Sequence, residues 1–438
     1  MKIEDILSRA SDTKALSIGE GVIVETPAMF KQLFAGKRPV IIADPITWKI
    51  AGEKLQSLFE SEGLHPDKPF LFTDPSLHSE WRFIEQLDNK MFATDAVAVA
   101  VGLGTINDLV KLSSSHVGRR YISVATAASM DGYTAYGASI IKDGKKQSFS
   151  CPAPLGFIAD IDIISKAPAK ITAGGYADLF AKVTAGADWI LADALGIETI
   201  DAVAFNTVQK GLKNALSNPE GLRSGNPKAL YDLMEGLLLG GLAMQIHKSS
   251  RPTSGAEHQF SHLWNMEHHK VNGITPSHGF QVAVGTLATT ALYEQMLAQD
   301  FSKLDIEKCI NTWPSLEQVK DETRKMFKDT DFPDIGETEM EAKYVEKNEL
   351  RQHLSILKNN WKEIKEKLNH QLIPYEQLRA SLAAIGAPTL PEQIGISRKR
   401  LRESAIRAQR IRRRFTILDI ARRTGNLNLW SQNLFKDQ

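Results

Sequence analysis

The chain has 438 residues, 42% of them hydrophobic, which supplies enough apolar surface for a buried core and, at roughly 150 residues a domain, for about two or three domains. Lys and Arg number 53 against 52 Asp and Glu, so the near-neutral charge argues against nucleic acid or an anionic membrane as the main partner. The two cysteines, Cys151 and Cys309, occur without a CxxC or a Cys/His cluster, which excludes a disulfide framework and points to a reducing compartment.

The first residues, MKIEDILSRASDTKALSIGEG, mix acids and bases and do not read as a secretory signal. The most apolar segments, such as 237–244, fall short of the roughly 20 residues that a membrane span needs. A cytoplasmic protein without a membrane span is expected. In chain order, 39–43 (PVIIA) is a short apolar strand ending at Asp44-Pro45, and 48–62 carries helical spacing. Strands follow at 69–73, at 95–101 (DAVAVAV), which runs into a glycine turn and a helix, and at 121–125 (YISVA). Segments 137–141 and 145–150 read as a hairpin around Asp143-Gly144, and 155–161 as one more strand. Strands alternating with helices imply a Rossmann-like parallel sheet covered by helices.

After Ile164 the strand-like runs stop. Helices are expected at 176–195, 201–216, 229–247, 258–266 and 278–297. A long amphipathic helix is expected over 341–369, and an arginine-rich one over 398–423. The domain boundary falls near 161–165, giving an α/β domain over 1–163 and an all-helical domain over 164–438.

In VAVAVGLGTINDLVK a strand ends at Val101, Gly102 and Gly104 make the turn, and Thr105 and Asp108 ride on the first turns of a helix. Glycines let the backbone approach a diphosphate, and the helix N-terminus offers N–H groups and a favourable dipole. A plain turn is the alternative. Asp44, just past an earlier strand, can accept hydrogen bonds from an adenosine ribose and would then favour NAD over NADP; otherwise it is a turn former before Pro45. The loop ATAASMDGYTA places Thr126, Ser129 and Asp131 at the carboxyl end of the fourth strand, the usual ligand side of such sheets.

In the helical half, Asp178 lies within GGYADLFAK, His258 within SGAEHQFSH and His278 within TPSHGFQ. A carboxylate inside an apolar helix is costly to bury unless something pairs with it. Two imidazoles and one carboxylate can hold a catalytic divalent ion with positions left open for substrate. Asp178 and His258 stand eighty residues apart and His258 and His278 twenty, so no spacing motif defines the set. His262, four residues after His258, can face the same site, whereas His268 and His269 read as solvent-exposed. Arg251 is the first candidate to recognise a phosphate and Lys182 the second. The arginines from Arg398 to Arg414 alternate with Leu401, Ile406 and Ile411, the pattern of a solvated amphipathic helix rather than a nucleic-acid surface.

Taken together, GLGTINDLVK, TAASMDGYTA, GGYADLFAKVTAGADW, SSRPTSGAEHQFSH and PSHGFQVAVG resemble the sn-glycerol-1-phosphate dehydrogenase family. That family lies within the iron-containing alcohol dehydrogenase and dehydroquinate synthase-like superfamily. The resemblance spans about residues 20–300, and the late segment FTILDIARRTG is similar to the family's closing helix. It implies a dehydroquinate synthase-like fold and metal-dependent, NAD- or NADP-linked reduction of dihydroxyacetone phosphate. The metal would be held by Asp178, His258 and His278, with Zn or Ni suggested and Fe compatible. Pyrophosphate would lie on Gly102, Gly104 and Thr105, with Asp108 closing the turn and Thr126 and Ser129 beside the nicotinamide. Asp131 would contact substrate hydroxyls, and His262 would lie near the reacting centre and relay a proton; Lys182 is counted with them among the candidate catalytic residues. A homo-oligomer is expected.

The chain departs from the family pattern in Leu103 between the glycines, in Phe280 after His278-Gly279 and in a longer stretch over 330–395. Three rival readings stay open: a dehydrogenase of an unphosphorylated polyol or alcohol, a dehydroquinate-synthase-like cyclase, and a non-catalytic nucleotide sensor.

Overall fold

The computed structural model describes residues 3–142 and 145–436. Eight strands are present among them. Ala15–Gly19 (β1), Pro39–Ala43 (β2), Phe70–Leu71 (β3), Val97–Gly102 (β4), Ile122–Ala125 (β5) and Gly156–Asp160 (β8) make one sheet in the order β1-β8-β5-β4-β2-β3. Every pairing in it is parallel. Ala138–Lys142 (β6) and Lys145–Phe149 (β7) form a separate antiparallel pair, as the sequence pattern expects. The turn residues Asp143-Gly144 lie outside the described residues. The central strands β2, β4, β5 and β8 are buried along their whole length, which is why they read as continuous apolar runs. β1 lies at the sheet edge, half-buried and only five residues long, and its sequence ALSIG carries no strand signal strong enough to be found.

Five helices carry the candidate site residues or pack behind them: Gly104–His116 (α1), Ala169–Ala194 (α2), Pro227–His247 (α3), Ala256–Met266 (α4) and His278–Leu297 (α5). The chain divides into two compact units whose boundary does not fall at the change from strands to helices. The first is Met1–Leu179 with Asn206–Ser250, and the second is Phe180–Phe205 with Arg251–Gln438. The reason is that α3, although past the switch from strands to helices, packs on β1 and on the 131–133 turn of the α/β part. Its Gln245 amide accepts from the N–H groups of Asp12 and Thr13 and donates to the Thr13 hydroxyl and the Thr134 carbonyl. At 21 residues α3 is long and apolar enough to cross a membrane, unlike the shorter segments that the sequence suggested. It is nonetheless mostly buried in the fold and carries Lys228, Asp232 and Glu235, as a core helix does.

The second unit is built on a core of Phe260, Trp264, Leu292, Leu357, Trp361, Leu368, Leu401, Ile417 and Trp430. The stretch 330–395 contributes to that core, which gives the extra length a packing role. The expected helix over 341–369 is three helices, Ile335–Lys343, Lys347–Asn359 and Trp361–Gln371. The expected helix over 201–216 breaks at Gly211 (φ 92°) into Ala202–Gln209 and Leu212–Ala215. The arginine-rich segment 398–423 is two helices, Arg398–Ala408 and Ile417–Arg423, the latter started by a Thr416–Asp419 capping box. Nor is that segment merely solvated: Arg410 reaches Thr323 and Glu322, and Arg400 and Arg407 share Glu267. His269 is likewise buried, between the Arg400 guanidinium and the Ile394 carbonyl, while His268 is exposed beside Asp331.

Candidate active site

The glycine turn sits at the C-terminal end of β4, the strand at the centre of the sheet. Leu103 is the extended N-cap of α1 and contributes no side-chain cap, so the first N–H groups of a 13-residue helix stay available to an anion. Strand order then places β2 on one side of this turn and β5 on the other. Asp44 follows β2, and Thr126 and Ser129 follow β5. Thr126 donates its N–H to the Gly102 carbonyl (3.3 Å), which ties the second loop to the glycine turn. Ser129 is within hydrogen-bond distance of the Tyr133 hydroxyl (3.1 Å), which donates to the Ala127 carbonyl (2.8 Å). Asp44 is also an N-cap: its Oδ1 accepts from Ile46 and Thr47 in a capping box, so the turn-forming reading of this residue describes its own contacts. Asp108 is buried with Lys111 at 3.6 Å, and the Lys111 ammonium also donates to the carbonyls of Gly132, Ala135 and Gly137. This pair fixes the base of the 131–137 loop from the helix that carries the glycine turn.

Asp178, His258 and His278 each offer one ligand atom, and those atoms lie within 4.8 Å of one another. Asp178 is fully buried on α2, and its Oδ2 accepts the Asp131 N–H (2.9 Å). His258 lies on α4 and His278 opens α5, with ring centroids 5.4 Å apart. His262, one turn beyond His258, has its ring centroid 6.2 Å from it. Lys182 follows Asp178 by one turn of the same helix and is fully buried.

Each imidazole has an outer partner. His258 Nδ1 meets Glu257 Oε1 (2.9 Å), and His278 Nδ1 meets the Ser261 hydroxyl (3.4 Å). An outer partner at one ring nitrogen is the usual arrangement for ligating histidines. One buried carboxylate and two such imidazoles fit a divalent ion of the Zn, Fe or Ni type.

Glu257 and Asp188 were not found from the sequence. Both are fully buried. Asp188 accepts from the Tyr293 hydroxyl (2.6 Å) and from the N–H groups of Ala256 and Ile417 (each 2.7 Å). Burial, and then the neighbouring Glu257 charge, push the Asp188 carboxyl up to about 7. Burial also acts to raise Glu257, but hydrogen bonding and charge from His258 and the Gly255 N–H outweigh it and hold it below the usual range. The signal for Glu257 was its place in the SGAEH block, next to a candidate ligand.

Arg251 lies in the second unit. Its side chain is buried, donating to the carbonyls of Phe415 (3.2 Å) and Asp188 (3.1 Å) and paired with Glu198 (3.0 Å). A guanidinium so engaged braces the second unit.

Residues 17–168 match the family model described as iron-containing alcohol dehydrogenase. The glycerol dehydrogenase of Schizosaccharomyces pombe shares the fold, with a TM-score of 0.63 at 17% identity over 97% of this chain and 91% of that one. A glycerol-1-phosphate dehydrogenase (NAD(P)+) of Pyrococcus horikoshii is 33% identical over 276 residues, 63% of this chain and 77% of that protein. The same-named protein of Halalkalibacterium halodurans is 33% identical over 256 residues, 58% of this chain and 64% of that protein, so the match spans just under two thirds of that relative. The chain belongs to the glycerol-1-phosphate dehydrogenase family.

Proposed function

We propose that this protein reduces dihydroxyacetone phosphate to sn-glycerol 1-phosphate, reversibly, with NADH or NADPH and a divalent metal ion. The observation that carries the reading is the convergence of Asp178, His258 and His278 in a chain that also builds a glycine turn at the end of β4. Asp178, His258 and His278 hold the ion. When bound, the ion supplies a Lewis acid for the charge developing on the carbonyl oxygen, and the reduced nicotinamide supplies the hydride. Gly102, Gly104 and Thr105 receive the pyrophosphate on the α1 N-terminus, and Thr126 and Ser129 line the nicotinamide half. Asp131, whose N–H is fixed on Asp178, orients the substrate hydroxyls. His262 relays the proton to the product oxygen. Arg251 and then Lys182 are the candidate cations for the substrate phosphate.

The test is to strip the protein of metal, restore Zn, Ni or Fe one at a time, and follow NADH with dihydroxyacetone phosphate, dihydroxyacetone and glycerol. Consumption confined to the phosphorylated ketone is expected. His278→Ala should abolish it and the bound metal together, with the melting temperature kept. Turnover in the stripped protein, or with dihydroxyacetone alone, would sink the reading.

A further inference from the structure

His258 enters the ligand set held from behind by a fully buried carboxylate, and that carboxylate is more than a helix needs. Glu257 Oε1 accepts from His258 Nδ1 (2.9 Å) and from the Gly255 N–H (2.5 Å), while Oε2 accepts from the Thr184 hydroxyl (2.8 Å). Thr184 is itself buried, and its hydroxyl oxygen also lies 3.0 Å from the Ala181 carbonyl on α2. Asp188 seizes the same turn one residue earlier, through Ala256 N–H. A Cβ on Gly255 would stand 2.4 Å from Asp188 Oδ2 and 2.9 Å from Glu257 Oε2, so an added side chain there would push on both carboxylates.

Burying an ionised carboxylate costs several kcal/mol unless its partners compensate it. A glutamine in the same place could serve Gly255, Thr184 and the imidazole as a neutral acceptor and donor. The fold alone therefore gives no reason for a charge. An imidazole that must stay neutral at Nε2 and keep its proton at Nδ1 gives one, because an anionic acceptor fixes that tautomer and raises the basicity of the ligating nitrogen.

We propose that Glu257, clamped by Thr184 and Gly255, is the positioning residue that fixes the tautomer and orientation of His258 and thereby sets the metal affinity of the site. The proposal rests on Asp178, His258 and His278 being the metal ligands. Its test is Zn2+ affinity of the apoprotein, measured by competition with a chromophoric chelator, together with the visible absorption of the Co2+-loaded protein. Glu257→Ala should weaken Zn2+ binding by about 10- to 100-fold. Glu257→Gln, which keeps the shape, should weaken it by about 10-fold, alter the Co2+ bands and leave the apoprotein's melting temperature unchanged. Thr184→Val should act in the same direction with a smaller effect. His278→Ala is the control. If it loses Zn2+ while both Glu257 variants bind with wild-type affinity and spectrum, the role of Glu257 is refuted and the ligand set stands. If His278→Ala also keeps wild-type affinity, the ligand set itself is wrong and the proposal falls with it.

Discussion

Gly175→Ala tests how the site is held together within the first unit. Gly175 faces the loop after β5, and a Cβ there would stand 2.1 Å from the Ala128 carbonyl oxygen and 2.8 Å from its carbon. Both atoms are backbone, so no side chain can turn away. A normal contact needs about 3.2 Å, so helix and loop must part by about 1 Å, at a cost of roughly 1–3 kcal/mol of stability for overpacking. The same movement strains the Asp131 N–H bond to Asp178 Oδ2, now 2.9 Å, and carries Thr126 and Ser129 away from the glycine turn. A misplacement of about 1 Å costs on the order of 100-fold in rate even when no reacting group is changed. The variant should therefore unfold earlier in urea and lose about two orders of magnitude in kcat/KM for dihydroxyacetone phosphate, with metal affinity reduced. Wild-type stability together with wild-type kcat/KM would show that loop and helix are not pressed together at Gly175.

Asp44→Asn keeps a good helix cap while removing a charge near the expected adenosine ribose. The kcat/KM ratio for NADPH over NADH should rise by about tenfold, and an unchanged ratio would leave Asp44 as a cap only. Gln245→Leu strands four buried partners, the N–H groups of Asp12 and Thr13, the Thr13 hydroxyl and the Thr134 carbonyl. It should cost about 3 kcal/mol in urea unfolding, and a cost below about 1 kcal/mol would contradict the network. His353 accepts from the Arg423 guanidinium (2.9 Å). Burial, and then the Arg423 charge, push the imidazole down to about 4 from 6.5. Between those values the unfolded chain takes up a proton that the folded one refuses, so this contribution is full above pH 6.5 and is lost as pH falls toward 4. His353→Gln should flatten the fall in stability between pH 7 and pH 5 relative to wild type; identical slopes would refute it.

The sheet was legible because its central strands are buried on both faces and so announce themselves as unbroken apolar runs. The edge strand β1, half-buried, offers no such run, and the packing of α3 on the α/β part is a tertiary choice that no local pattern encodes. Helix breaks at Gly211 and Asn360 were missed because amphipathic spacing continues across them. Arg251 shows the same limit from the other side: its residue type and place beside a ligand block nominate it, and only the fold reveals its contacts with Glu198 and two carbonyls.

The candidate metal site lies between these cases. Residue types alone nominated Asp178, His258 and His278, but their separations along the chain are too large for any periodicity to join them. Within each unit a glycine permits a close approach beside a candidate ligand, and that signal is present in the sequence without being decodable from it. Gly175 lets α2 meet the loop whose Asp131 N–H holds Asp178, and Gly255 lets two buried carboxylates share the turn that aims His258. Gly175, before Asp178, and Gly255, before His258, therefore mark where the chain had to be brought in tight. A site assembled this way is sensitive to added volume behind the ligands as well as to loss of the ligands themselves, because neither glycine has a side chain to yield.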